Sequence, residues 1–593
     1  MCGVFATLPA LPIQKLERLI SCLAHRGPDS NSYEVNEFMA IGMTRLAIFE
    51  SNVDDQPNIG CNRNIVTVLN GEIYNYSSLR EELIQKGHKF KSKATDASVI
   101  PHLYEEYGDL FASKLEGMFA IIIWDEDKKM LMLIRDSMGI KPLYYCQEKE
   151  FVAASEIGAI LEILTRKPDL SIKSFFQLSK YGIVFSPNTV YENVHSVIPG
   201  TILKIYVAEK NRIETYRWNK KIYEIKRYKD KDEAEILDEL DSLLRESVNQ
   251  QSKHGENTSI LLSGGLDSSI IASYLRENNT GVLDSYHLVF EESSESKKID
   301  QEIARKIAEK FSFNHTEVRL NAFMYFSKLN KCLDSMKQPF LGVTSTYFIA
   351  EEIAKKYKVC LTGDGADELF GSYSRVQHFA KIYYDQVSQS EINYLKQNDF
   401  INKYRLSKKQ TDFENGEEVS VSNWDKNDNI LKKTLNQDFE GALLFDQLRL
   451  LPDQVLLYSD HLAMAYSLEM RPPFLSKSII EFARLIPLEL LIDSKGETKK
   501  VLKLIATKYL PTEIVHRKKE GFLIPLKKWL RHPAGIDWIE ENLEHLNGKL
   551  PLDLDYNKIQ DFIKHYINLK HDNYFEVYKL LVITRFLTKY QTS

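Results

Sequence analysis

The sequence predicts two domains in series: an α+β domain, then an α/β domain on a doubly wound parallel sheet with a helical C-terminal part. Three patterns lead there. Up to about Leu203, apolar runs of strand length alternate with polar breaks and a few helical segments, which suits packed layers of sheet and helix. From Thr258 onward strands and helices take turns, the pattern of a parallel sheet covered on both faces. After Tyr373 the periodicity becomes mainly helical. The boundaries read as residues 2–210 and 230–593, with the Lys- and Tyr-rich stretch from Asn211 to about Asp232 as the connection.

Composition narrows the function classes. With 43% hydrophobic and 27% charged residues and a net charge of -6, the chain is an ordinary globular protein without a nucleic-acid footprint. Apolar segments such as Phe119–Trp124 are too short to span a bilayer, and no basic region precedes a long apolar run at the N-terminus. Cys2, Cys22, Cys61, Cys146, Cys332 and Cys360 are scattered and form no C-x-x-C pair, which suggests neither a zinc site nor a disulfide framework. Sparse cysteines fit a reducing cytosol, so the expected location is cytoplasmic, with neither nucleic acid nor membrane as partner.

In the first domain, Ile65–Leu69, Phe119–Trp124, Met130–Ile134 and Phe151–Ala154 read as strands, and Ile13–Ala24, Tyr76–Lys86 and Ala97–Tyr107 as helices. It opens on Met1-Cys2-Gly3. Once Met1 is removed, Cys2 carries a nucleophilic thiol beside a free α-amine that can act as its base. Polar clusters follow at His25–Asp29, Thr44-Arg45, Asn70-Gly71-Glu72 and Thr95-Asp96. Each alone has a structural explanation: Asn-Gly as a hairpin turn, Thr95-Asp96 as a helix N-cap, Arg45 as an ion-pair partner. Together they supply the groups a glutamine-hydrolysing site needs. An arginine suits the α-carboxylate, carboxylates suit the α-ammonium, and an amide plus a backbone N–H suit the oxyanion.

The second domain begins with a helical pattern over Glu233–Asn249, then a strand, Thr258–Leu262. That strand runs into Ser263-Gly264-Gly265-Leu266-Asp267-Ser268-Ser269 and a helix. Glycines let the backbone approach an anion, the helix N-terminus offers N–H groups, and Asp267 can take a magnesium ion. The string lacks the lysine and spacing of G-x-x-x-x-G-K-[ST] and matches the S-G-G-x-D-S pyrophosphate loop of ATP pyrophosphatases. Ser285–Phe290 and Val359–Thr362 read as further strands and Asp300–Lys310 as a helix. Gly363-Asp364-Gly365-Ala366-Asp367-Glu368 follows the later strand, where ligands of such sheets gather. Residues about 385–440 read as a polar insertion.

In motif order and over nearly its whole length, the chain resembles the glutamine-hydrolysing asparagine synthetases. That resemblance implies an N-terminal-nucleophile hydrolase sandwich, two β-sheets between helical layers, followed by the ATP-pyrophosphatase domain. It implies Cys2 as nucleophile, Asn70 and Gly71 as the oxyanion hole, and Arg45, Glu72 and Asp96, with Asn70, as glutamine contacts. In the second domain it implies Leu261, Ser263, Gly264, Gly265, Asp267, Ser268, Val289, Thr362 and Gly363 around ATP. Asp267 and Asp367 would hold Mg2+, and Lys499, within Thr498-Lys499-Lys500-Val501-Leu502, would be catalytic; read without the resemblance, Lys499 is a surface lysine in a first helical turn. The implied substrates are glutamine, aspartate and ATP, and a homodimer is compatible with the family.

The chain departs from the family at Thr44, where histidine is common, and at Asp364, Gln338 and Ser476 in the synthetase half. Those last three keep open an enzyme of the same architecture that amidates another carboxylate. Retention of Cys2, Arg45, Asn70, Asp96 and Asp367 argues against a non-catalytic scaffold built from the same domains.

Overall fold

A computed structural model describes residues 2–48, 56–62, 64–90, 95–219, 225–252, 258–291, 294–384, 439–517, 524–544 and 556–592. The strands of the first half are, in chain order, β1 (Cys2–Leu8), β2 (Ser30–Val35), β3 (Ala40–Arg45), β4 (Asn58–Ile59), β5 (Ile65–Ile73) and β6 (Gly117–Asp125). They continue as β7 (Met130–Arg135), β8 (Tyr144–Gln147), β9 (Phe151–Ala154), β10 (Val194–Ser196), β11 (Thr201–Tyr206) and β12 (Arg212–Arg217). These form two six-stranded antiparallel sheets, ordered β10-β8-β9-β1-β3-β2 and β12-β11-β7-β6-β5-β4.

Strand periodicity explains the layering. Val4, Ala6, Ile41 and Met43 of one sheet meet Val66, Val68, Ala120, Ile122, Leu131 and Leu133 of the other in a shared interior. The alternate residues Leu69, Phe119, Ile121, Ile123, Met132 and Ile134 face outward beneath the helices Tyr76–Gln85 and Val99–Tyr107. On the opposite side, Phe5, Ala40, Val152 and Ala154 pack on the helices Ile13–Leu23 and Ile157–Ile163. Sheets buried on both faces account for the near-continuous apolar runs in the sequence. The result is a four-layer sandwich, two sheets between helical layers as the resemblance implies, with Cys2 at the start of a central strand.

The second half carries one parallel sheet: β13 (Thr258–Leu261), β14 (Leu283–Phe290), β15 (Phe313–Leu320), β16 (Val359–Leu361) and β17 (Glu469–Arg471). Its order, β15-β14-β13-β16-β17, reverses between β13 and β16, so the switch point of this doubly wound sheet lies between the two glycine-rich loops. One face is covered by the helices Glu233–Ser252 and Leu266–Asn278, through Ile236, Leu240, Leu244, Ile270 and Ile271. The other face packs on Ala322–Ser335, Ser345–Ile353 and the C-terminal helices Pro533–Glu544, Tyr556–Ile567 and Tyr574–Thr592. That same apolar cluster includes Phe5, Leu16 and Leu19 of the sandwich, so the two halves share a core.

Several local expectations change. Asn70-Gly71-Glu72 is not a turn after a strand but lies inside β5, paired with Ala120, Phe119 and Met118. The stretch from Asn211 is not merely connecting: Arg212–Arg217 forms β12 against β11, and Asn219 Nδ2 donates to Ser137 Oγ at 2.9 Å. By Arg227 the chain is bonded to the carbonyls of Ala483 and Ile486 in the second half. The strands β15 and β17 carry no clear periodic signal and were not predicted. The insertion about 385–440 falls, up to residue 438, outside the described residues, as do Lys518, Lys519, Gly521 and Phe522. Among the described residues no helix is long and apolar enough to cross a membrane.

Candidate active sites

The first site forms where the two sheets meet. Cys2 stands opposite Arg45 in the β1–β3 ladder, and its backbone N–H donates to Asn70 Oδ1 of β5 at 3.2 Å. One end of the Asn70 amide thus fixes the start of β1. The other end, Nδ2, is buried with no hydrogen-bond partner among the described residues. A buried donor left unsatisfied is costly unless something is to fill it. Burial pushes the Cys2 thiol above its ordinary range, opposed by the hydrogen bond from the Leu46 backbone.

Gly71 has φ +138°, and a Cβ there would stand 1.9 Å from the Met118 carbonyl oxygen. No other residue lets β6 pair this closely. Opposite it, Phe119 gives its carbonyl to the Asp136 N–H (2.8 Å) and its N–H to the Asp136 carboxylate (3.3 Å). Both polar groups of Phe119 therefore face β7, which makes Gly71 its non-hydrogen-bonded partner and turns the Gly71 N–H away from β6. On that side β4 pairs only with Val66 and Thr67.

Two carboxylates sit nearby. Asp96 does not cap the helix that follows it; its side chain accepts from the Ile73 N–H at 3.0 Å. Burial pushes its pKa up to about 6, against the hydrogen bonds from Ile73 and Ala97. Burial, with Asp96 adding to it, pushes Glu72 up to about 8. Glu72 lies 3.2 Å from the guanidinium of Arg471, a residue of the second half.

Arg45 is held by its backbone. Its carbonyl accepts from Asp29, and a Cβ on Gly27 would come within 2.4 Å of the Arg45 nitrogen. The departure at Thr44 has a plain reason: its Oγ1 donates to the Leu23 carbonyl at 2.9 Å and accepts from the Gly3 N–H at 3.2 Å. It stitches β1, β3 and the first helix together behind the cysteine.

The second site lies at the switch point. In the loop after β13 the Ser263 and Ser268 hydroxyls are 3.0 Å apart, and the Ser263 N–H donates to Ser268 Oγ at 3.2 Å. Gly264 has φ +75°, and a Cβ would meet the Asp300 carbonyl at 2.1 Å. The loop is therefore held in a defined conformation at the N-terminus of Leu266–Asn278, the end of a helix that favours anions. Across the switch point a Cβ on Gly363 would lie 3.1 Å from Asp267 Cβ, so the two loops are in close contact. Leu261 ends β13, and Val289 lies in β14 beside it. Thr362 ties the loop after β16 to β17, its N–H donating to the Arg471 carbonyl at 2.9 Å.

Lys499 is no surface lysine. It is buried, stands just before the helix Lys500–Ala506, and its Nζ is 2.8 Å from both carboxylate oxygens of Asp267. It also pairs with Asp367. Burial acts to lower its pKa, but the two carboxylates outweigh this and raise it. Its backbone is left-handed, φ +53°, which costs a side-chain-bearing residue about 1 kcal/mol or more. Asp267 and Asp367 share one cationic centre, so these hard oxygen donors are also placed to share a divalent cation. Asp364 accepts from Thr362 Oγ1 at 3.0 Å and Ser459 Oγ at 2.7 Å, so the shortened side chain is anchored. Arg517 NH1 reaches the Gly264 carbonyl at 3.4 Å.

A buried charged seam joins the two sites, and sequence reasoning missed it. Arg471 donates to Glu469 Oε1 at 2.5 Å and to the Gln251 carbonyl at 2.7 Å, besides facing Glu72. Glu469 is held down to about 2, burial being outweighed by the cations around it, Arg471 and Lys141 among them. Arg26, fully buried, bridges Glu156 at 3.0 Å and Asp460 at 2.9 Å. The only signal was charge inside otherwise apolar strings, as in Ser467–Leu475.

A family model described as Asparagine synthase matches residues 239–587, and one described as Glutamine amidotransferase domain matches residues 1–218. The "Asparagine synthetase [glutamine-hydrolyzing] 1" of Bacillus subtilis (strain 168) is 27% identical, covering 98% of this chain and 95% of that protein. The "Amidase chry2" of Gibberella zeae is 26% identical, over 87% of this chain and 86% of that one. A putative glutamine-hydrolysing asparagine synthetase of Methanocaldococcus jannaschii is 28% identical, over 82% and 81%.

Proposed function

The chain belongs to the asparagine synthase family of ATP-using, glutamine-hydrolysing ligases, and we propose that it converts glutamine, aspartate, ATP and water to asparagine, glutamate, AMP and diphosphate. The observation that carries this reading is the pairing, in one rigidly packed chain, of a cysteine with an unused amide donor and a preformed pyrophosphate loop facing Lys499. Aspartate as acceptor is supported by the near end-to-end match to the Bacillus subtilis synthetase. We place the junction of the two domains between Asn219 and Arg227.

The chemistry assigned to the first site runs as follows. It requires Cys2 to be the first residue of the mature chain, so that its α-amine takes the thiol proton. The thiolate adds to the glutamine side-chain carbonyl, and Asn70 Nδ2 with the Gly71 N–H receives the oxyanion. Arg45 holds the α-carboxylate, and Asp96 with Glu72 holds the α-ammonium. The Cys2 α-ammonium returns its proton to the amide nitrogen, and collapse expels ammonia and leaves a thioester, which water cleaves to glutamate.

In the second site the Ser263–Ser268 loop and the helix dipole bind the phosphates, while Leu261, Val289 and Gly363 border the adenosine. Asp267 and Asp367 would hold magnesium, which when bound neutralises phosphate charge. The aspartate carboxylate attacks the α-phosphorus and releases diphosphate. Ammonia then displaces AMP from the aspartyl adenylate, with Lys499 stabilising the negative charge of both steps.

A second reading, amidation of another carboxylate, is favoured by Asp364 and by Gln338, whose buried Oε1 has no partner among the described residues. AMP formation with aspartate against a panel of carboxylic acids decides between them. Aspartate-dependent AMP release with matching asparagine is the expected result; AMP release only with another acid moves the assignment.

A further inference from the structure

Away from both sites, the outer helical layer of the sandwich brings together Cys61, His88, His102 and Glu105. Their ligand atoms all lie within 4.8 Å of one another. Cys61 Sγ is 3.4 Å from His102 Nδ1 and 3.6 Å from His88 Nδ1. Glu105 Oε2 is 3.4 Å from His102 Nδ1 and 3.6 Å from His88 Nδ1. Zinc bonds of about 2.3 Å to sulfur and about 2.0–2.1 Å to nitrogen or oxygen, set at tetrahedral angles, put neighbouring ligand atoms about 3.3–3.6 Å apart. Four of the six spacings, those between each histidine Nδ1 and Cys61 Sγ or Glu105 Oε2, match those edges.

The surroundings are built for a metal. Glu105 is positioned by the backbone N–H groups of Cys61 (3.1 Å) and Asn62 (3.2 Å), and Gly60 presses against it so closely that a Cβ would stand 2.4 Å from Oε1. The far ring nitrogen of His88, Nε2, meets Glu106 Oε2 at 3.4 Å, and Lys86 holds that carboxylate at 2.7 Å. A histidine whose second nitrogen is oriented by a carboxylate is the usual outer shell of a zinc ligand. His102 and Glu105 share one turn of the helix Val99–Tyr107, Cys61 lies between β4 and β5, and His88 follows the helix Tyr76–Gln85. No local spacing motif announces four ligands drawn from three segments.

We propose that Cys61, His88, His102 and Glu105 form a tetrahedral structural zinc site that staples these three segments beside the turn carrying Asp96. The thiol proton passes to solvent on binding, and one thiolate and one carboxylate then balance the charge of the ion. Thiolate and imidazole donors in a tetrahedral set select zinc over magnesium or calcium.

The test is metal analysis of the full chain. Wild type and Cys2→Ala purified without chelator should each carry about one zinc per chain, and Cys61→Ser should carry none. After removal of zinc, cobalt(II) should give a thiolate charge-transfer band in wild type and in Cys2→Ala but not in Cys61→Ser, which separates this site from the carboxylates of the nucleotide loop. Glu106→Gln should weaken zinc binding ~10–100-fold. Cys61 is exposed, so circular dichroism should show its variant folded. Titration of the metal-free wild type against a chromophoric chelator does not depend on any variant. No zinc uptake there, or an unchanged cobalt band in Cys61→Ser, overturns the proposal.

Discussion

The Glu72 carboxylate of the sandwich lies 3.2 Å from the Arg471 guanidinium of the parallel-sheet domain, and the Arg471 carbonyl in turn accepts from Thr362 in the loop after β16. One buried residue thus touches both sites. Replacing it by Met leaves the buried, ionised Glu469 without its guanidinium partner. Breaking a buried pair this way costs about 3–5 kcal/mol. Arg471→Met should lower Tm and abolish both glutamine- and ammonia-dependent synthesis, whereas Glu72→Gln should keep the ammonia-dependent reaction. Parallel assays with the two nitrogen sources and a thermal melt check this.

Glu72 also predicts a pH dependence. Burial raises its folded pKa to about 8, above the ordinary carboxylate value. The folded state therefore holds a proton that the unfolded state gives up first, and this contribution is present at low pH and lost as pH rises through about 8. Between pH 5 and 8 it removes at most about 1.4 kcal/mol per pH unit. The stability of wild type relative to Glu72→Gln should fall with rising pH over that window. Denaturant titrations of both proteins across it measure the slope, and a difference that rises with pH contradicts the assignment.

The Asn70 side chain splits its work, one end on the Cys2 N–H and the other unfilled. Asn70→Ala should lower kcat for glutamine hydrolysis ~10²–10³-fold, the usual loss of one oxyanion donor. Ammonia-dependent AMP formation should stay near wild type. A single measurement of glutamate release against AMP release under the two nitrogen sources tests it.

The identity of these groups was legible in the sequence; their local structure often was not. Asn70-Gly71 reads as a turn because Asn-Gly is the commonest hairpin pair, yet it sits mid-strand because β6 needs the space a side chain would fill. Lys499 belongs to a string with helical spacing, and nothing local shows that two distant carboxylates draw it into a buried, left-handed position. The strand β17 is three residues long and exists only through its pairing with β16. The parallel sheet itself was readable because strand and helix alternate over long stretches, whereas the seam of Arg471, Glu469 and Arg26 depends on contacts between domains.

Lys499 gives the synthetase half its own test. Lys499→Met leaves Asp267 and Asp367 facing each other without a cation, in a place where ATP must bring its own negative charge. AMP formation should fall ~10²-fold or more. Glutamate release should continue, since the Cys2 site makes no contact with Lys499. Lys499→Arg keeps the charge but spreads it over a plane that cannot sit symmetrically between two carboxylates, so it should rescue only part of the rate.

In the reaction proposed above, ammonia released at Cys2 would have to reach the adenylate without picking up a proton, because ammonium has no free lone pair to attack with. The apolar contact of Leu46 with Met464, flanked by Ile48, spans the two halves directly beside Arg45. Leu46 and Met464 are buried and their side chains apolar, which suits the wall of such a passage. Met464→Trp adds bulk there while touching neither Cys2 nor the pyrophosphate loop. Glutamate release and ammonia-dependent AMP formation should each survive within a few-fold, but the ratio of product to glutamate should fall well below one in the glutamine-dependent reaction. A ratio that stays near one in this variant places the ammonia path elsewhere.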